Sequence, residues 1–429
     1  MKKVFRVVLV VSCLGVTQAV RAGDENKAFL ESMRSGKLVC SLDSFLNIPE
    51  VWNLTPARLD ATFAPPQEAK MKVNPYFKWL TADHSRASFV KKPYHDLQTE
   101  LRFFGGQLMA DEVIVDFVGQ RLNGITFSFY NRGDTGAISS EEFQRRLKLC
   151  ASKMSGLLQV RPFQKKADLT QGLELEGWCW VSARGMALLE YNPQALAGSP
   201  EFLRLKIAPR NATGTSAAAF SDRPTTVRLS ELPKNVQRGG NGDVVIRNIP
   251  MVDQGDKGYC VVASAQRLFE YYGIPADQHQ IAQAAGTDVQ AGTSVLKMVE
   301  ALKKIDYRYK TRFQILGLRY EGQLVKVDER KLTVGKPVNE AAFTKELNEF
   351  INAGVPVLWS LELGLFPEQP PLAQQTHGGH MRLIIGYNPQ TSEVLYSDSW
   401  GAGHELKRMS LKNAYQATQG IFVMSPTVR

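Results

Sequence analysis

Most features that place a chain in a class at sight are missing here. Apart from an N-terminal run, no stretch is long and apolar enough to cross a membrane as a helix, which takes about 20 residues. Cysteine is scarce, with five in 429 residues, so the chain is not a disulfide scaffold. The six histidines are scattered from His84 to His404, and no cluster has metal-ligand spacing; His377 and His380 lack nearby partners in sequence. Neither a metal nor another cofactor is expected. The net charge of +10 comes from basic residues dispersed among acidic ones, with no stripe of basic and aromatic side chains. Nucleic-acid binding is therefore not expected.

The N-terminus is basic and then apolar. Lys2, Lys3 and Arg6 precede and overlap the run Val7 to Val11, and Val20-Arg-Ala22 offers the small residues of a cleavage site. Residues 1–22 thus read as an export signal, and the mature chain as secreted or periplasmic. Cleavage would remove four cations, Lys2, Lys3, Arg6 and Arg21, and bring the charge from +10 to +6. A competing reading is a lipid anchor at Cys13, because Val10-Val-Ser-Cys13 has the apolar-small-cysteine order of a lipoprotein signal; the short apolar stretch before Cys13 favours simple export. The remaining cysteines are Cys40, Cys150, Cys179 and Cys260, and both a Cys40 to Cys179 bridge and none are compatible with the sequence.

Two domains are expected. In residues 24–210, strands at 70–79, 87–91, 113–118, 125–130, 173–180, 185–191 and 202–207 accompany a helix opened by Ser139-Ser-Glu-Glu142, whose apolar face is Phe143, Leu147, Cys150 and Met154. Asn123-Gly124 predicts the turn of a hairpin. This is an α+β domain on an antiparallel sheet, of open role. Trp178 and Trp180 share a strand face, beneath the helix or as an exposed stripe. Residues 211–243, rich in Ala, Thr, Gly and Pro, read as a linker.

Residues 244–429 carry the chemistry. After Gln254-Gly-Asp-Lys-Gly-Tyr-Cys260, the apolar positions Val261, Val262, Ala265, Leu268, Phe269 and Tyr272 follow one helical face, so Cys260 falls in the first turn of a helix. The dipole and unpaired N–H groups there favour a thiolate, the attacking form. Gln254, beyond two glycines, is in reach of the same centre as an amide donor. His380 opens an apolar strand running to Tyr387, and Asp398 closes the strand that returns after Asn388-Pro-Gln390. Antiparallel pairing brings His380 and Asp398 together.

This order of four residues resembles the papain-like cysteine peptidases, in particular their bacterial C39-like branch, over roughly residues 247 to 429. The resemblance implies a papain-like fold, with Cys260 as nucleophile, His380 as general base, Asp398 as the residue orienting it, and Gln254 with the Cys260 backbone N–H as the oxyanion hole. It also implies that Trp400, in Asp398-Ser-Trp-Gly401, shields the histidine pair from water. One departure flanks the thiol: Tyr259 precedes Cys260, and Val261 follows it where C39-like relatives often have glycine. The expected activity is hydrolysis of a peptide or protein substrate through an acyl-enzyme. Two alternatives remain: amide transfer, deamidation or cell-wall peptide hydrolysis on the same fold, and a non-enzymatic peptide-binding module. The oligomeric state is not legible. The chain has no P-loop or transporter helices, so the leader-peptide substrates of transporter-fused relatives are not carried over.

Overall fold

Alternating apolar residues dominate both halves of the chain, and in the computed structural model they gather into two separate α+β units, the first ending at Phe220. The described residues are 36–65, 74–91, 98–166, 175–220, 227–255, 258–276, 278–285, 299–300, 302–303, 306, 310–328, 333–372 and 377–428. The export-signal and Cys13 readings lie outside them, as does most of a helix expected from Thr293 or Ser294 to Lys304. Among the described residues no helix is long and apolar enough to cross a membrane.

The first unit is built on an eight-stranded antiparallel sheet in the order 78–79, 86–90, 112–118, 121–131, 202–208, 185–191, 176–182, 163–165, beside a three-stranded sheet of 37–41, 98–103 and 108–110. The helix Ser140–Leu158 starts as its sequence dictates: the Ser139 side chain accepts from Glu142 N, and Phe143, Leu147, Cys150, Met154 and Leu158 are buried. Trp180 is buried and donates its indole N–H to Ser155 on that helix (3.0 Å), so this tryptophan packs rather than forming an exposed stripe. Cys40, Cys150 and Cys179 are buried thiols, and the Cys40 to Cys179 bridge is not formed.

One expectation fails. The hairpin pairing Glu112–Val118 with Arg121–Asn131 turns at Gly119, whose φ of +59° supplies the left-handed residue, and not at Asn123-Gly124. Asn123 instead sits within the strand and ties it to Thr213, accepting from Thr213 N at 2.8 Å and donating to Thr213 O at 3.1 Å.

The second unit has a sheet in the order 236–238, 244–246, 378–388, 357–363, 418–426, 311–320, 323–328, 333–337, with 393–397 and 407–410 added beside 378–388. The helix Glu340–Asn352, capped by the Asn339 side chain, buries Phe343, Leu347 and Ile351. Much of the stretch read as a linker belongs to this unit. Residues 229–235 form a 3-10 turn and 236–238 an edge strand. Composition hid this because the few apolar side chains are well placed: Leu232 is 0% exposed in the core, and Val227, Leu229 and Val236 pack against that core. Gly354 lies against Leu232 with φ +72°, and a Cβ there would meet Leu232 O at 2.2 Å, so only glycine fits this crossing.

Candidate active site

Two chain segments about a hundred residues apart build the site. The first contributes the helix Cys260–Tyr271, which begins at Cys260 itself and buries Val261, Val262, Ala265, Leu268 and Phe269. Val261 is 4% exposed and part of the core. Tyr259 is buried beside His279, ring centroids 5.9 Å apart.

The second segment is the antiparallel pair Gly378–Asn388 and Glu393–Ser397. His380 is the third residue of its strand and Asp398 follows the end of the other. His380 Nε2 donates to Asp398 Oδ1 at 2.7 Å. The Cys260 thiol lies near enough to the imidazole, and to the backbone of Met381 and Val261, for each of them to bear on its ionisation. His380 and Asp398 are thus hydrogen-bonded to each other, with the Cys260 thiol beside the imidazole.

Gln254 joins them through the backbone. Its N–H donates to Ser399 O (2.9 Å), Asp253 bridges Trp400, and Ser399 Oγ donates to Gln254 Oε1 (2.8 Å). Holding the amide oxygen this way directs the NH2 to the other end of the group. Trp400 stacks on the His380 ring, centroids 4.7 Å apart and planes 22° apart. His404 meets the Trp400 ring edge-on at 5.5 Å, while its carbonyl accepts from Asp398 N; His377 is exposed.

Electrostatics follow from burial and neighbours. Burial opposes ionisation of Cys260, but the His380 hydrogen bond and charge and the two backbone N–H groups outweigh it, so the thiol titrates below its ordinary value. Burial likewise opposes the imidazolium, and the Asp398 charge and hydrogen bond, with the thiol, overcome it: His380 is raised to about 9. Burial would push Asp398 up, yet His380 and Arg382 hold its carboxyl well below the usual carboxylate range. The thiol shifted down and the imidazole shifted up both favour the charged forms of the pair.

Several buried polar residues at this site escaped sequence reasoning. Arg382 Nε donates to Asp398 Oδ2 (2.7 Å), and its other nitrogens reach Glu368 at 2.6 and 3.2 Å. Glu368 also accepts from Tyr396 Oη (2.8 Å) and from Lys407. On the cysteine helix, Arg267 donates to Asp398 O (2.9 Å), Pro250 O (2.8 Å) and Ser397 Oγ (2.5 Å). The available signal was charge in an apolar setting: Arg382 interrupts Met381 to Tyr387, two residues from His380 and so on the same strand face. Arg267 interrupts the apolar run of the helix.

With this geometry in view, the comparisons narrow the class. Residues 246–422 match the model of the Peptidase_C39 like family. The matched stretch holds Gln254, Cys260, His380 and Asp398 and lies within the second unit. Among solved structures, Xylellain, a cysteine protease from Xylella fastidiosa, is similar at 13% identity with a TM-score of 0.28, over 48% of this chain and 91% of that chain. A score of that size carries no statement about chemistry. No curated protein matches the chain. Among the described residues no group of His, Cys, Asp and Glu is arranged to hold a metal ion.

Proposed function

We propose that this chain is an exported thiol hydrolase that cleaves peptide bonds through a cysteine acyl-enzyme formed in residues 244–429. The observation that carries the reading is the 2.7 Å bond from the His380 imidazole to the Asp398 carboxylate, with the Cys260 thiol acting on the same imidazole. The family match over 246–422 supports it.

In this reading the Cys260 thiolate attacks the substrate carbonyl. The oxyanion is held by the Cys260 backbone N–H, in the first turn of a helix whose start has no side-chain cap, and by the Gln254 amide. The His380 imidazolium gives its proton to the leaving amine, then as a neutral base takes one from the water that hydrolyses the thioester. Asp398 fixes the tautomer. Trp400, lying flat on the imidazole, keeps water from the His380–Asp398 bond, whose strength depends on a low local dielectric.

The test is intact-mass labelling of the purified protein with a peptidyl thiol-reactive electrophile across pH, beside Cys260→Ala and His380→Ala. Stoichiometric modification of Cys260 below the pH at which an ordinary thiol ionises, slowed in His380→Ala, is the expected outcome. A thiol that reacts only as an unperturbed cysteine does, in wild type and variant alike, would sink the proposal. Product analysis then separates hydrolysis from transfer or deamidation: new peptide termini mark the first, and ammonia or crosslinks without them mark the others.

A further inference from the structure

The Asp398 carboxylate has two cationic neighbours, and the second has no place in the acyl-enzyme scheme. His380 occupies Oδ1 and Arg382 occupies Oδ2, both at 2.7 Å. The side chains of Arg382, Asp398 and Lys407 are each 0% exposed and that of Glu368 3%. Charges this deep are tolerated only when paired. The pairing here runs in alternation: Asp398, Arg382, Glu368, Lys407.

Arg382 is also held in place by rings. Its guanidinium carbon lies 4.7 Å from the Tyr396 ring centroid and 5.8 Å from that of Trp400, the same indole that stacks on His380. Tyr396 in turn is tied to Glu368 through its hydroxyl. The guanidinium therefore cannot leave Asp398 without breaking its Glu368 fork and its ring contacts together.

We propose that Arg382 is a positioning residue for the thiol chemistry, fixing the plane of the Asp398 carboxylate and sharing its charge, with Glu368 and Lys407 as the pair that makes a buried Arg382 tolerable. This rests on the hydrolase reading above and adds residues to it. Two effects follow. A carboxylate gripped at both oxygens cannot rotate, so the imidazole keeps the orientation that serves the thiol. A carboxylate shared between two cations also binds the imidazolium less tightly than one facing His380 alone, so His380 stays able to release its proton. The other titratable group bearing on this imidazole is Cys260 from the helix; Lys407 and His404 meet the Trp400 ring stacked on it, at 5.8 and 5.5 Å, and Tyr396 and Glu368 meet Arg382.

The experiment compares wild type, Arg382→Lys, Arg382→Met and the double variant Arg382→Met with Glu368→Gln. The double variant removes one charge of each sign, so the net charge of the interior is unchanged, and the amide oxygen introduced at 368 can still accept from Lys407 Nζ, so it folds more readily than Arg382→Met alone. Cys260 alkylation by iodoacetate is followed across pH; this anion reacts faster with the thiolate while the imidazolium is present, so its profile reports both ionisations. In the double variant the lower step is expected to stay within a few tenths of a pH unit, the upper step to move to higher pH, and the plateau rate to fall on the order of 10-fold. Arg382→Lys, which keeps charge but loses the fork, is expected to lower the plateau with a smaller upward move. A folded double variant with wild-type plateau and upper step would overturn the proposal. If wild-type Cys260 itself shows no activated step, the hydrolase reading fails first, and the two failures are thereby told apart.

Discussion

Replacing Asp398 by asparagine keeps the shape of the site and removes the charge on which the thiolate–imidazolium pair depends. Burial disfavours a charged His380, and the Asp398 carboxylate is the foremost opposing influence, lifting the histidine from 6.5 to about 9. That rise amounts to about 3 kcal/mol in favour of the imidazolium. In Asp398→Asn, burial is opposed chiefly by the thiol, so His380 is neutral at pH 7, and Cys260, deprived of its cation, is pushed up by its own burial. Alkylation of Cys260 by iodoacetamide at pH 7 should then slow on the order of 100-fold, at about 1.4 kcal/mol per decade. The same linkage appears in stability. Because the folded chain holds the His380 proton more tightly than the unfolded chain, this contribution is complete below pH 6.5 and is lost as pH rises through about 9. Thermal unfolding of wild type and variant should therefore differ most between the ordinary carboxyl range and pH 6.5, and by less above pH 9, where only the Arg382 pairing of the carboxylate still separates them. A cooperatively folded Asp398→Asn protein that is alkylated at the wild-type rate at pH 7 would refute the reasoning.

Two further outcomes are expected. Gln254→Ala should slow acyl-enzyme formation from an activated ester by about 100-fold, the cost of one oxyanion donor, while iodoacetamide, which generates no oxyanion, alkylates within twofold of wild type; equal slowing of both reactions would point to misfolding instead. Arg267→Met removes donors to Asp398 O, Pro250 O and Ser397 Oγ, and each buried acceptor left bare costs about 1–3 kcal/mol. Chemical denaturation should show a loss of several kcal/mol at an unchanged slope, and an unchanged midpoint would contradict the assigned role.

The sequence carried the first layer of the candidate site and little of the second. Cys260, Gln254, His380 and Asp398 each sit at the start or end of an element, where local pattern speaks: a helical face beginning at Cys260, glycines after Gln254, an apolar strand at His380. Their convergence in the structure follows from antiparallel pairing, which is a local rule. Arg382, Glu368, Lys407 and Arg267 derive their meaning from partners up to 131 residues away, and no local pattern records such pairs. The same limit explains the fold. The longer helices and many strands were legible within a few residues, whereas the short helices Pro56–Thr62 and Leu411–Ala417 were not, and the strand Thr418–Pro426, which separates Val357–Leu363 from Thr311–Tyr320, left no sign of its central position. Turn chemistry misled at Asn123-Gly124 because a bulged strand tolerates those residues as readily as a turn, and composition misled at 229–238 because a few apolar side chains around Leu232 suffice to anchor a segment.

That central position of Thr418–Pro426 has a bearing on how the molecule comes to exist in time. The strand pairs on both sides, with Val357–Leu363 and with Thr311–Tyr320, yet it follows every other described strand along the chain. The sheet is thus completed from its middle by a strand that follows both of its partners in the chain, a pairing pattern of long sequence separation that folds slowly. Cys260 and His380 lie on segments that both precede this strand. In the hydrolase reading, the thiol therefore stays an ordinary one until the sheet behind His380 has closed.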